Sequence, residues 1–218
     1  MGQHKDIVKL KAQLKEQTND SVKINIYVNI FNYYNVQNND SAYLFANEGL
    51  LYFKEKQNLK GQAAMYLNKG DYEDAHGNSK FAEDHYLEAL KLFGSINYKK
   101  GIASADNNLA ALEGKKGNYK KSITYILEAK KLYEECNDVK DLLSCLINLG
   151  AIYEWSLREM VNGRIEKSPQ KIQEVIEVLT PLYEAWLSLA PKAQLHNGQV
   201  ERVYKKTVRP TNLSVVNA

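Results

Sequence analysis

Three asparagines, Asn68, Asn108 and Asn148, recur at a spacing of forty residues. A carboxamide both donates and accepts, so a row of them can grip a peptide backbone without reading its side chains. The same row can instead cap or bridge neighbouring helices, and residue type leaves both open. A second group combines Asp74, His76 and His85. Imidazole and carboxylate are metal ligands, but the spacing matches no recognised ligand pattern, and the histidines read more simply as surface residues. A metal-dependent enzyme is a distant alternative. Cys136 and Cys145 have no evident histidine partner and are expected to pack between helices. The chain carries no nucleophile motif, phosphate-binding glycine loop or dinucleotide fingerprint. The expectation is a protein that is no enzyme and uses no cofactor and no metal.

Composition narrows the classes further. Hydrophobic residues make up 44% and charged residues 25%, ordinary values for a globular domain. Four Pro and twelve Gly are too few for a loop-rich or all-β fold. The net charge is +3, from 29 basic and 26 acidic residues, so no nucleic-acid partner is expected. The balance shifts near the end, where Lys192, Arg202, Lys205, Lys206 and Arg209 face Glu201 alone. Residues 191–218 are read as a basic, flexible tail. Two cysteines do not make a disulfide framework. No apolar run is long enough to span a membrane. Residues 1–15 are polar and lysine-rich, unlike a secretory leader. A cytoplasmic protein is expected.

The elements that must position these residues follow from an internal repeat. At an offset of forty, Gly77-Asn78 falls on Gly117-Asn118, Leu87-Glu88-Ala89 on Leu127-Glu128-Ala129, and Leu92-Phe93 on Leu132-Tyr133. One step earlier, Asn38, Ala42, Gly49 and Tyr52-Phe53 fall on Asn78, Ala82, Ala89 and Leu92-Phe93. Each period holds two helical segments separated by a turn, as Ile102 to Lys116 and Tyr119 to Glu135 show. Short connections make neighbouring helices antiparallel, so each unit is a helical hairpin. Gly70, Ala110 and Gly150 lie mid-helix, where a repeated small residue implies close approach by another helix.

This register resembles the tetratricopeptide family over residues 21–153. The motif is a small residue, a Gly-Asn turn seven residues later, and two further small residues seven apart. Here those are Gly70, Gly77-Asn78, Ala82 and Ala89, then Ala110, Gly117-Asn118, Ser122 and Ala129. The first repeat departs from it with Ile30 and Gln37, and Lys69 stands where Leu109 and Leu149 stand in the sister repeats. The period is longer than the family's usual value of about 34, as in long bacterial regulatory variants. In the fourth repeat the turn is lost at Trp155-Ser156-Leu157, so its first helix is expected to stop at Asn162-Gly163. A new helix is expected from Ser168-Pro169, kinked at Pro181.

The resemblance implies an all-α, right-handed superhelical solenoid of antiparallel hairpins with terminal capping helices. The divisions are an N-terminal cap (1–20), repeats over 21–160 (21–60, 61–100, 101–140, 141–160), a C-terminal cap (161–190) and the tail. It also implies a concave groove that binds another protein or peptide. Its groove positions fall on Tyr27, Phe31 and Tyr34, then Asn68, Asp71 and Asp74, then Asn107, Asn108 and Lys115, then Asn148 and Glu154. Aromatics at helical spacing are commonly core, so Tyr27, Phe31 and Tyr34 carry both readings. The acidic members argue against a clamp for a terminal carboxylate and for a basic or neutral ligand. Two roles fit this reading. One is a scaffold or adaptor, the other a ligand-responsive bacterial signalling regulator.

Overall fold

The structure, a computed structural model, describes residues 2–37 and 40–194, with side chains at 7–37 and 40–183. Asn38, the side chains of Trp186 and Leu187, and the basic stretch beyond 194 lie outside the described residues. Among those described, every regular element is a helix: α1 (Gly2–Glu16), α2 (Asp20–Asn35), α3 (Ser41–Glu55), α4 (Leu59–Ala75), α5 (Ser79–Ser95), α6 (Lys99–Lys115), α7 (Tyr119–Glu135), α8 (Val139–Ile165) and α9 (Pro169–Gln194). The chain divides into two compact units, Met1–Val178 and Leu179–Ala218. The first holds α1 to α8 and the opening turns of α9, and the second begins within α9.

Helices α4 to α7 have 17 residues each and begin at 59, 79, 99 and 119; α8 begins on the same step, at 139. The links explain this regularity. In each, one residue takes the left-handed conformation: Gln57, Gly77, Asn97, Gly117, Asn137 and, after the longer α8, Lys167. The next N–H then reaches back to a carbonyl five residues earlier, as in Asn58 to Phe53 (2.9 Å), Asn78 to Glu73 (2.8 Å) and Asn118 to Glu113 (2.9 Å). That bond satisfies a carbonyl the helix end leaves unpaired. The donor residue also opens the following helix. Asn58 Oδ1 accepts from the Gly61 N–H at 2.9 Å, and Asp138 Oδ1 from the Asp141 N–H at 3.1 Å.

From α1 to α8 each helix packs on its chain neighbour. Helices α2 and α4, α4 and α6, and α6 and α8 also approach closely, whereas the backbones of α3, α5 and α7 stay apart, with Lys121 of α7 reaching Glu83 of α5 at 3.9 Å. Glycine sets the close approaches. A Cβ at Gly70 would stand 2.4 Å from the Tyr86 ring, and one at Gly61 2.3 Å from Phe53. Lys69 is accommodated where its sisters are leucine because its ammonium lies 5.0 Å from the Tyr43 ring centre.

Helix α8 corrects a sequence expectation. It runs past Asn162-Gly163 to Ile165. Gly163 is buried instead of forming a turn, and an added Cβ would meet Ile172 at 3.0 Å. Helix α9 starts at Pro169, continues through Pro181, and extends beyond the expected boundary at 190. Cys145 is buried, but Cys136 is exposed at the C-cap of α7, contrary to the expectation that both pack between helices.

Candidate partner-binding face

The residues singled out from the sequence lie along α2, α4, α6 and α8, and the structure gives each a definite place. Tyr27 and Phe31 are core. Tyr27 stands edge-on to Phe53 and beside Gly49, and Phe31 packs with Ala42 and Ala46. They are not open to a ligand. Tyr34 is half-buried, stacked on Phe45 at 5.7 Å.

The polar residues bridge successive even-numbered helices. Asn108 Nδ2 donates to Asp71 Oδ1 at 2.9 Å, and Tyr86 Oη donates to the same oxygen at 2.9 Å. Lys115 Nζ meets Asp74 Oδ2 at 2.6 Å. One step along, Asn148 Nδ2 donates to Asn107 Oδ1 at 2.9 Å. Asn68 breaks the series. Its buried amide nitrogen finds no partner among the described residues. Phe31, forty residues before Asp71, offers no acceptor at the equivalent position. Glu154 is exposed on α8.

Burial shapes the acids. Desolvation pushes the Asp71 carboxyl up to about 7; the Tyr86 hydrogen bond opposes this, Asp74 adds to it, and Lys115 opposes it. Asp106, buried on α6, is also pushed up to about 7 by desolvation, with Glu128 adding to it. Glu113 behaves oppositely. Burial alone would raise it, but bonds from Asn118 and Lys116, with Lys121 nearby, hold it below the usual value.

Sequence reading missed two features. The turn asparagines do more than stop a helix. Asn78 donates to Glu73 Oε2 at 2.7 Å and Asn118 to Glu113 Oε2 at 2.9 Å. The Glu–x4–Asn spacing repeats at the forty-residue offset, so the signal was present. The second is a cleft of about 680 Å³ where Tyr119 stacks on Trp155 (3.9 Å between ring centres), flanked by Lys120 and Lys121 and facing Glu174 and Glu177. His76 stacks on Tyr72 at 4.0 Å, and its Nδ1 lies 2.8 Å from the Tyr72 carbonyl. His85 lies beside Tyr66. No three metal-ligating side chains converge among the described residues.

Residues 95–193 match the family model of flagellar protein FliS. The stretch begins at the last residue of α5 and takes in α6, α7, α8 and most of α9. The tetratricopeptide resemblance is corrected by this match. Small residues and Gly-Asn turns are what any closely packed antiparallel hairpin requires, so they report packing and not a family. No curated protein matches the chain. Among solved structures the chain is similar to the crystal structure of BtubC (BKLC) from P. vanneervenii, with a TM-score of 0.54 and 19% identity over 82% of this chain and 75% of that one. At that identity the likeness is one of fold alone. No helix among the described residues is long and apolar enough to cross a membrane.

Proposed function

We propose that the chain is a non-enzymatic protein-binding module, with a peptide or helix held along the row formed by α2, α4, α6 and α8. One observation carries this. The backbones of those four helices approach one another in succession, while those of α3, α5 and α7 stand apart. In a curved stack the layer whose members meet is the inner one, and inner layers of stacked hairpins are binding surfaces. On this reading the stack is a right-handed superhelical solenoid, with α1 and α9 at its ends. The row offers amides and both signs of charge at Asp74, Asn107, Asn108, Lys115, Asn148 and Glu154, which suits the backbone of a neutral or basic ligand. The match of residues 95–193 to a flagellar family with a protein-binding role agrees.

An adaptor working in the cytoplasm is the simplest form of this function. A signalling form is favoured by the bonds from Asn108 to Asp71 and Lys115 to Asp74, which cross between hairpins. A ligand that takes over either partner changes the spacing of α4 and α6, and with it the curvature. The test is capture from a lysate of the source organism, comparing the intact chain with Asn107→Ala/Lys115→Ala. One protein retained by the intact chain and lost from the variant, at equal thermal stability, is the expected result. Retention by both moves the binding site off this row.

A further inference from the structure

Helix α6 buries two acids on one face, seven residues apart, and treats them in opposite ways. Glu113 is 1% exposed and Asp106 4%. Glu113 accepts from Asn118 at 2.9 Å and from Lys116 at 3.1 Å, with Lys121 at 3.6 Å. Asp106 accepts no hydrogen bond and makes no ion pair among the described residues. A buried carboxylate without a donor is strongly disfavoured, and the group stays neutral instead. Packing does not demand an acid here. The equivalent positions forty residues either way hold Tyr66 and Leu146.

Two bonds show what covers Asp106. Ser122 Oγ donates to the Ala110 carbonyl at 2.7 Å, and Tyr133 Oη donates to Ser104 Oγ at 3.0 Å. They tie α7 to α6 on either side of Asp106, and the stretch of α7 between them carries Ile126 and Ala129, both buried. No neighbouring element supplies a cation. Glu128 of α7 works against ionisation. Lys130 of α7 is held by Glu134 at 2.6 Å. On α8, the buried Cys145 feels the charges of Asp106 and Asp141, and Asp141 pairs with Lys100 at 3.3 Å. Helix α5 packs Ala82 and Tyr86 on the neighbouring flank of α6, at Leu109 and Leu112. Helix α4 reaches α6 through Asp71 to Asn108 and Asp74 to Lys115. An ionised Asp106 therefore gains water only if α7 moves.

We propose that Asp106 is a proton-operated latch: neutral, it lets α7 close on α6; ionised, it favours a locally open state in which α7 and α8 leave α6 while α1 to α6 stay folded. In stacked hairpins stability is a sum of units and of interfaces between neighbours, so one end can open alone. Of the earlier helices, the backbones of α7 and α8 approach α6 only. Desolvation holds the Asp106 carboxyl at about 7, with Glu128 adding to it, so the latch works near neutrality. In the open state the group returns to its ordinary 3.8. Opening thus releases a proton between those values and becomes more favourable as pH rises. It also parts Asn148 from Asn107, which removes the last step of the inner row. The latch itself does not depend on any ligand binding to that row.

Amide hydrogen exchange of the full chain from pH 5 to pH 8, corrected for the intrinsic chemical rate, reads the opening. Protection along α7 is expected to fall about tenfold per pH unit from pH 5 and to level off above about pH 7. Helix α4 is expected to stay the better protected throughout. Asp106→Asn is expected to remove most of the α7 slope. So is Asp106→Leu, which places there the residue type of the α8 equivalent and leaves no polar group to satisfy. Asp71→Asn, which acts between α4 and α6, is expected to leave the slope in place. Asn107→Ala/Lys115→Ala also keeps it, which separates failure of the latch from failure of the binding row. A slope that survives in a folded Asp106 variant overturns the proposal. So does a flat α7 profile in the unaltered chain. A fall along α4 equal to that along α7 overturns it too, because the event is then global unfolding.

Discussion

Asp71 and Asp106 are acids whose surroundings favour the neutral form, and this sets how the protein responds to pH. Each has a folded value of about 7 against an ordinary 3.8. Between those values the folded chain holds protons that the unfolded chain has released, so stability falls as pH rises through the window. The thermal midpoint is expected to be higher near pH 5 than near pH 8. Asp106→Asn keeps the shape and removes the charge, so it is expected to raise the midpoint more at pH 8 than at pH 5. The asparagines give a second test. Asn68 buries an unpaired donor, while Asn108 bonds Asp71. In urea unfolding, Asn68→Leu is expected to be neutral or stabilising, and Asn108→Leu to cost about 1–3 kcal/mol. The sequence shows three equivalent asparagines. What differs is the acceptor facing each, and Phe31 in place of an acid is visible only once the helices are laid side by side.

At the level of helices and links, the decisive residues are those with positive φ. Gly77 and Gly117 sit at +77° and +80°, and an added Cβ at either meets nothing within 4 Å. Gly77→Ala and Gly117→Ala therefore cost backbone energy alone, about 1 kcal/mol each. Lys167→Gly, at a φ of 52°, is expected to gain up to a similar amount in a denaturant titration. The Gly-Asn links were legible because glycine marks them. Gln57 and Lys167 were not, since neither residue type prefers this conformation and only the regular step of the chain imposes it. Asn162-Gly163 misled for the converse reason. There glycine answers the nearness of Ile172, and a glycine needed for space looks the same in sequence as one needed for a turn.

Across the molecule, stability is divided among neighbours. Helices α4 to α7 each pack on two chain neighbours, and α4 and α6 on further even-numbered helices as well. Amide hydrogen exchange is expected to be slowest there and faster along the exposed stripe of α8. Protection of α8 equal to that of α6 would overturn this. The repeat, the hairpins and the all-α class were readable from residue spacing. The likeness of residues 95–193 to the FliS model was not, because small residues and turns record how closely helices approach, whatever the lineage. The exposure of α8 was hidden for a related reason: Leu143, Leu146 and Gly150 continue the pattern of positions buried or half-buried in α4 and α6, yet all three are exposed.

Phe53 against Gly61 and Phe93 against Gly101 are the same joint made twice, with gaps of 2.3 and 2.4 Å to the missing Cβ. Splicing Lys60 directly to Gly101 removes residues 61–100 and sets Phe53 against Gly101, a pairing of the same residue types at the same spacing. A gene encoding such a chain can lose a whole forty-codon block and keep this joint, while α2 and α3 then meet α6 in place of α4. The joint thus tolerates a change of length by one hairpin, and the test of such a change falls on the α2 and α3 contacts.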